Sequence, residues 1–264
     1  MKILIELPTW MGDAVMASAA IENIINYYNS PEITLIGSSI SIEVLKNHSC
    51  VKRSHVLTKK YISLIKIVRN LSDFDVFFSF RSSFRSTILK ILVSSKNKYQ
   101  YKNSQYQNRH QVEKYNDFAN DSLDTNFLAG KLIVHKGKKS ITNNPKPLVG
   151  INPGASYGSA KRWYPQEFAK VAYELSSQYE IIIFGGPNEI DIAADIEKLL
   201  IAKGVTNYKN LAGNTSIQEL INRISSLDLF ITGDSGPMHI AASFQIPTVA
   251  IFGPTNDNET SQWR

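Results

Sequence analysis

Ionisable residues share a short glycine-bearing stretch at four points in this sequence, each time just after a run that reads as a β-strand. In the first, Leu7-Pro8-Thr9-Trp10-Met11-Gly12-Asp13-Ala14-Val15-Met16, Gly12 permits a tight turn and Asp13 stands where a helix begins. Asp13 suits two roles. As an N-cap its carboxylate would satisfy the first free N–H groups of the helix. As a general base it would take a proton from an attacking hydroxyl. The roles partly conflict, because a helix N-terminus stabilises the carboxylate and weakens it as a base.

The second stretch, from Asn152 to Pro165, is rich in small residues and carries Lys161 and Arg162 before Pro165, a favoured first helical residue. Backbone N–H groups of such a loop, with two cations, make a diphosphate clamp; the alternative is a surface loop with incidental charge. The Gly-to-Lys spacing is wrong for a Walker A loop, and no G-x-G-x-x-G fingerprint is present, so a dinucleotide oxidoreductase is disfavoured. The third stretch, Thr232-Gly233-Asp234-Ser235-Gly236-Pro237-Met238-His239, again leads into a helix whose N-terminus would hold phosphate oxygens through Ser235 and the N–H groups near Gly236. His239 follows one turn later, either facing the same ligand or as a buried structural residue. Gly-Asp-Ser-Gly is also the nucleophile signature of chymotrypsin-like proteases, but those are all-β, and this chain is not patterned that way. The fourth, Phe184-Gly185-Gly186-Pro187-Asn188-Glu189, offers Glu189 either to a ribose or adenine amine or simply to a helix dipole.

The elements that must position these residues alternate regularly. Strands are predicted at Lys2–Leu7, Ile33–Ile36, Val76–Ser79, Leu148–Ile151, Glu180–Phe184, Leu229–Thr232 and Thr248–Phe252. Helices are predicted at Ala14–Tyr28, Ser83–Ser94, Pro165–Ser177, Ile190–Lys203, Ile217–Ser226 and Pro237–Phe244. Such alternation means parallel sheets covered on both faces, with ligands at the carboxyl ends of the strands. The polar, proline-bearing run 137–147 divides the chain into lobes 1–145 and 146–264, and Lys96–Asn120 reads as a long loop with helix near its end. Asp73-Phe74-Asp75 has the spacing of a metal-binding dyad but reads as a turn before a buried strand.

At 264 residues, 43% apolar and 20% charged, the chain has material for two folded lobes and little for disorder. The single cysteine, Cys50, excludes an intrachain disulfide and a Cys-based zinc site and reads as a small buried filler. The apolar run at the N-terminus is too short for a signal peptide, and no stretch approaches the ~20 apolar residues that span a bilayer, so a cytoplasmic location is expected. Charge is uneven: residues 1–145 carry 20 Lys and Arg against 11 Asp and Glu, a net of +9, whereas residues 146–264 net −3. A basic front lobe suits an anionic partner, or is simply a solvated Lys-rich surface.

Taken in order, Trp10 to Met16, Pro153-Gly154-Ala155 to Ala160-Lys161-Arg162-Trp163, Phe184-Gly185-Gly186 to Glu189, Leu211-Ala212-Gly213, Gly233-Asp234-Ser235-Gly236 to His239 and Phe252-Gly253-Pro254-Thr255 resemble the signature of the ADP-heptose:lipopolysaccharide heptosyltransferases, glycosyltransferase family 9. Ser82-Ser83-Phe84-Arg85-Ser86 and Gly-Ala-x-x-Gly-x-Ala-Lys-Arg-Trp point to the heptosyltransferase II branch. The resemblance spans nearly the whole chain. It implies an α/β GT-B fold, two Rossmann-like lobes with a cleft between them, the acceptor on the first lobe and ADP-heptose on the second. The implied reaction is inverting transfer of L-glycero-D-manno-heptose from ADP-heptose to the first heptose of the Kdo-lipid A inner core, a step of lipopolysaccharide biosynthesis.

The same resemblance assigns residues. Asp13 is the implied catalytic base, and Lys161 stabilises the departing ADP. Ser156, Lys161, Ser235 and Gly236 bind phosphate; Glu189, Gly213 and Asp234 contact the nucleoside, with His239 nearby. Trp10, Lys59, Lys60, Arg81 and Arg85 are the acceptor-side candidates. No cofactor or required metal is expected, and no nucleic-acid partner; a peripheral contact with the cytoplasmic face of the inner membrane is. Family members continue past Gly-Pro-Thr into a further loop and C-terminal helices, so a sequence ending at Arg264 is expected to be truncated in its second lobe. A nucleotide-sugar epimerase of the same fold and a non-catalytic nucleotide binder are the competing readings.

Overall fold

A computed structural model of the chain describes residues 1–58, 60–137, 146–154 and 162–263. They form two compact units, Met1–His135 together with Trp263, and Lys136–Gln262. The division falls just before the polar run 137–147, of which residues 138–145 lie outside the described residues.

The first unit is a five-stranded parallel sheet of β1 (Lys2–Glu6), β2 (Glu32–Gly37), β3 (Val51–Val56), β4 (Phe74–Ser79) and β5 (Ser95–Gln100), in the order β3-β2-β1-β4-β5. The helices are α1 (Met11–Tyr27), α2 (Ser39–Leu45), α3 (Tyr61–Arg69), α4 (Phe84–Leu92) and α5 (Gln111–Leu123). Ile3, Leu4 and Ile5 of the central strand are fully buried, as a strand covered on both faces requires. Alternation sends Leu4 and Phe77 toward Leu64 of α3 and Leu89 of α4, and the opposite face toward α1 and α5. On that second face Phe80 meets Tyr115 and Phe118 of α5 edge-on, with ring centroids 5.6 and 5.3 Å apart. Alanines 14, 17, 19 and 20 give α1 a slim buried side that lets α5 lie against it.

Two expectations change here. Residues 96–120 are not a long loop: they hold most of β5, a single 3₁₀ turn and the first ten residues of α5. The sequence Ser-Lys-Asn-Lys-Tyr-Gln carries no apolar alternation because β5 is an edge strand, as is the equally polar β3. Asp75 is not in a turn but inside β4, where its carboxylate accepts from the Lys2 N–H at 2.9 Å and from Lys96 Nζ at 2.8 Å.

The second unit repeats the plan with β6 (Leu148–Asn152), α6 (Pro165–Leu175), β7 (Glu180–Ile183), α7 (Ile190–Ala202), β8 (Tyr208–Asn210), α8 (Ile217–Ile224), β9 (Leu229–Gly233), α9 (Gly236–Ser243), β10 (Thr248–Ile251) and α10 (Asp257–Thr260). Its parallel order is β10-β9-β6-β7-β8. Gly150, central in β6, lies so close to its neighbours that a Cβ would come within 2.5 Å of Leu227 and 2.8 Å of Phe230. In both units the first strand is central, the second and third lie to one side of it, and the fourth lies on its other side, parallel to it. The strand order therefore reverses between β1 and β4, and again between β6 and β9, and ligands of open parallel sheets bind at the carboxyl side of such reversals. No helix of the described residues is long and apolar enough to cross a membrane.

Candidate active site

The reversal in the first unit holds a buried ionisable cluster. β1 ends on Glu6, which faces Ser79 across the β1–β4 ladder and is almost fully buried. Its carboxylate accepts from Ser79 Oγ at 2.5 Å and from Ser86 Oγ of α4 at 3.0 Å, and Arg81 Nη1 lies 3.6 Å away. Burial pushes the Glu6 carboxyl above its usual value, and the hydrogen bond from Ser79, the charge of Arg81, the hydrogen bond from Ser86 and the charge of Arg85 pull it partly back. Arg85 donates to the Thr58 carbonyl, in the segment before α3, at 2.5 Å, and its guanidinium lies 5.9 Å from the ring of Tyr61, the first residue of α3.

Asp13 lies beyond the end of the same β1 strand, in the first turn of α1. It is not the N-cap. That position belongs to Trp10, which is 56% exposed and makes no side-chain capping bond. Nor does the helix N-terminus win over its surroundings: burial raises the Asp13 carboxyl above its usual value, only partly offset by the Tyr115 hydroxyl and by its own backbone N–H. Burial is thus the largest influence on this carboxyl, and it acts against the weakening of the base expected from a helix start. The Tyr115 hydroxyl reaches Asp13 Oδ1 at a long 3.5 Å from α5, and burial together with the Asp13 charge holds Tyr115 in its protonated form. Lys60 is exposed as the N-cap residue of α3, and Lys59 lies outside the described residues.

In the second unit the reversal holds a neutral polar cradle. Buried Asn152, the last residue of β6, donates from Nδ2 to Thr232 Oγ1 at 3.1 Å and to Ser235 Oγ at 3.0 Å. Ser235 is the N-cap residue of α9, yet its hydroxyl is taken up by that bond and caps no N–H of the helix. Pro237 has no N–H and the Met238 N–H is donated to the Ser235 carbonyl at 3.1 Å, so Gly236 is the residue at the start of α9 whose N–H, without a side-chain cap, is placed to meet an anion. Asp234 is buried and accepts from Thr255 Oγ1 at 2.8 Å, fixing the segment after β10 against the end of β9. His239 is buried within α9. Ser156 and Lys161, with the rest of 155–161, lie outside the described residues.

Glu189 is neither in the first turn of α7 nor exposed. It closes a 3₁₀ turn, Pro187–Glu189, and its carboxylate turns back to accept from the Gly186 N–H at 2.6 Å. Gly154 lies against that carboxylate so closely that a Cβ there would overlap it. Gly213 completes the group with a left-handed φ of 75° and an N–H donated to the Gly185 carbonyl at 2.9 Å. The expected donor residues Glu189, Gly213, and Asp234 with Ser235 and Gly236 thus stand beyond the carboxyl ends of β7, β8 and β9 in turn.

Sequence reasoning passed over Glu6, Tyr115, Asn152 and Thr232 as site residues. Glu6 carried a signal as the one acidic residue in a strand whose middle, Ile3 to Ile5, is apolar; Asn152 and Thr232, at or near the ends of their strands, carried a weaker one. Tyr115 had none, since only the fold brings it to a residue 102 positions earlier.

One grouping among the described residues has metal-ligand chemistry: Glu22, His48 and His135, whose candidate atoms lie within 4.8 Å of one another. His48 Nδ1 accepts from the Cys50 N–H at 3.1 Å, so Nε2 carries the proton and donates to Glu22 at 3.0 Å. A hydrogen bond accounts for that contact, and Glu22 stands about 13 Å along α1 from Asp13.

Comparison with known proteins agrees with this geometry. The family model described as glycosyltransferase family 9 (heptosyltransferase) matches residues 73–264. Lipooligosaccharide heptosyltransferase 2 of Campylobacter jejuni serotype O:2 is 39% identical over 100% of this chain and 84% of its own length. The structure of the Escherichia coli ADP-heptose lipopolysaccharide heptosyltransferase II superposes with a TM-score of 0.86 at 21% identity, covering 99% of this chain and 88% of that one. A family 9 glycosyltransferase from Veillonella parvula gives the same score at 19% identity, over 99% and 83%. These solved structures carry the GT-B fold, and the two parallel sheets here are its two Rossmann-like lobes. The chain belongs to glycosyltransferase family 9, the heptosyltransferases.

Proposed function

We propose that the chain transfers heptose from ADP-heptose to the first heptose of a Kdo-lipid A inner core, with inversion, in the manner of heptosyltransferase 2. The observation that carries this is Asp13: a half-buried carboxyl, raised by burial, at the strand-order reversal of the first unit. A raised carboxyl is the better proton acceptor near neutral pH. Its carboxylate takes the proton of the acceptor hydroxyl as that oxygen bonds to the anomeric carbon, and the bond from that carbon to the β-phosphate oxygen breaks to release ADP.

Donor binding falls to the second unit. The Gly236 N–H and the Ser235 hydroxyl at the start of α9 take the diphosphate charge, with Ser156 and Lys161 joining them, and Glu189, Gly213 and Asp234 surround the nucleoside. Trp10, Lys59, Lys60, Arg81 and Arg85 receive the anionic acceptor, which presents its lipid at the cytoplasmic face of the inner membrane. No metal is required in this reading: the one Asp-x-Asp pair, Asp73 and Asp75, lies at the start of β4, the end of the sheet opposite to Asp13.

Incubation of the purified protein with ADP-heptose and a monoheptosylated core acceptor tests this. ADP release should require the acceptor, persist in EDTA and vanish in Asp13→Ala. Turnover without acceptor would make the protein an epimerase, and donor binding with no turnover would make it a nucleotide binder.

A further inference from the structure

The segment from Ser79 to Ser86 leads from the end of β4 into α4 and carries both Arg81 and Arg85, and its serine hydroxyls are aimed by one side chain of another strand. Ser79 Oγ gives its single proton to Glu6 Oε2, which leaves its lone pairs to accept the Arg81 N–H at 3.3 Å. Ser86 Oγ gives its proton to Glu6 Oε1, so it accepts from Ser83 Oγ at 2.8 Å, and Ser83 caps α4 by accepting the Ser86 N–H at 3.2 Å. The backbone joins in, since the Phe80 N–H is donated to the Glu6 carbonyl at 2.9 Å. From β5, Gln100 Nε2 holds the Arg81 carbonyl at 3.2 Å. Glu6 is the hub of this turn.

A carboxylate accepts and never donates, so both hydroxyls must point at it. A glutamine would present an NH₂ group to one of them and turn that hydroxyl round. Stability alone does not call for a charge at this place, because a buried ion pair replaced by well-packed apolar residues is often as stable or more so. What the carboxylate adds is a partner for arginine. Arg81 Nη1 stands 3.6 Å from Glu6 Oε1 with its side chain 22% exposed, so the guanidinium meets the buried acid on one side and stays accessible to solvent. A cation held in this way is ordered before an anion arrives, and the anion need not immobilise it.

We infer that Glu6 is a positioning residue for acceptor binding: its buried carboxylate sets the turn from Ser79 to Ser86 and holds the Arg81 guanidinium where an anionic group of the acceptor meets it. The inference rests on the proposed assignment of an anionic acceptor to the first unit. Glu6 touches no substrate and acts through Arg81.

Calorimetric binding of the delipidated monoheptosylated core saccharide to the full chain, alongside steady-state kinetics, tests it. Glu6→Gln should weaken saccharide binding and raise the KM for it by roughly three- to tenfold, the range expected when one long side chain is immobilised on binding instead of beforehand. The loss should fall on KM and not on kcat, and the Kd for ADP should stay within about twofold. Arg81→Ala should weaken the saccharide at least as much, and Glu6→Gln added to it should weaken it no further, because residues that act through one contact are not additive. A merely structural Glu6 behaves otherwise: kcat and ADP affinity fall together with saccharide affinity, or the two losses multiply in the double variant. Either result overturns the inference, as does unchanged binding in Glu6→Gln. Tighter binding overturns it too, since Glu6 would then only cancel the charge of Arg81. If Glu6→Gln does not fold, Ser79→Ala carries the test by removing the hydroxyl between Glu6 and the Arg81 N–H; it should weaken the saccharide and lose that effect in the Arg81→Ala background. The expected pattern of binding in a protein that transfers no heptose would sink the proposed function and leave the role of Glu6 standing, whereas a wild type that does not bind the saccharide overturns that role.

Discussion

The two sheets share one strand order and place their sites at the same reversal, yet fill that place with opposite chemistry. In the first unit the ends of β1 and β4 carry Glu6, Asp13 and Arg81, with Tyr115 and Arg85 brought in by α5 and α4. In the second, the ends of β6 and β9 carry Asn152, Thr232 and Ser235, uncharged groups bonded to one another, beside the open N-terminus of α9. Topology supplies a position and nothing more. A position lined with desolvated titratable groups can move a proton. One lined with neutral donors and a helix N-terminus can hold an anion without changing protonation itself.

That division is broken most directly at Asp13. Asp13→Asn keeps the size of the side chain and removes the base, so kcat should fall by about 10²–10⁴. ADP affinity, measured by calorimetry, should stay within about twofold, because the proposed diphosphate and nucleoside contacts all belong to the second unit. A parallel loss of ADP affinity would mean that the two positions do not divide the work.

Gly154→Ala is the reciprocal test. A Cβ there overlaps the Glu189 carboxylate, so either the strand-end loop or Glu189 must give way. Overpacking of this kind costs ~1–3 kcal/mol, and ADP affinity should fall roughly tenfold or more while kcat at saturating donor changes less. Gly213→Ala should act in the same direction, because its φ of 75° admits a side chain only under strain. If either variant lowers kcat as far as Asp13→Asn does, the second unit does more than bind.

How much of this was legible depended on where each residue's partners lie along the chain. Asp13, Ser235 and Glu189 announce themselves because strand end, glycine and helix start are consecutive in sequence. The two sheets were legible for the same reason, through alternating apolar runs, whereas β3 and β5 were not. An edge strand buries too little to need apolar alternation. Glu6 was visible as an acid ending an apolar run, but its meaning rests on Ser79 and Ser86, 73 and 80 residues away. The environment of Asp13 was half legible for a similar reason: the helix start can be read from sequence, and the burial that raises the carboxyl cannot.

Tyr115 gives the smallest effect and the sharpest view of the charged position. Its hydroxyl stabilises the Asp13 carboxylate and so holds down a value that burial has raised. Tyr115→Phe removes that restraint without opening the core, since the ring still meets Phe80. The base works deprotonated, so kcat/KM rises with pH through its pKa. In Tyr115→Phe that acid limb should move to higher pH, and only modestly, because a 3.5 Å contact is a weak hydrogen bond. Stability must follow with the matching sign. A carboxyl raised on folding contributes stability that is fully present below its unfolded pKa and is lost as pH rises through the folded value. Melting temperatures at about pH 4 and about pH 8 should therefore differ more in Tyr115→Phe than in wild type, with the extra loss at the higher pH. An unshifted limb and an unchanged difference together would make Tyr115 a packing residue and leave burial alone to set the strength of the base.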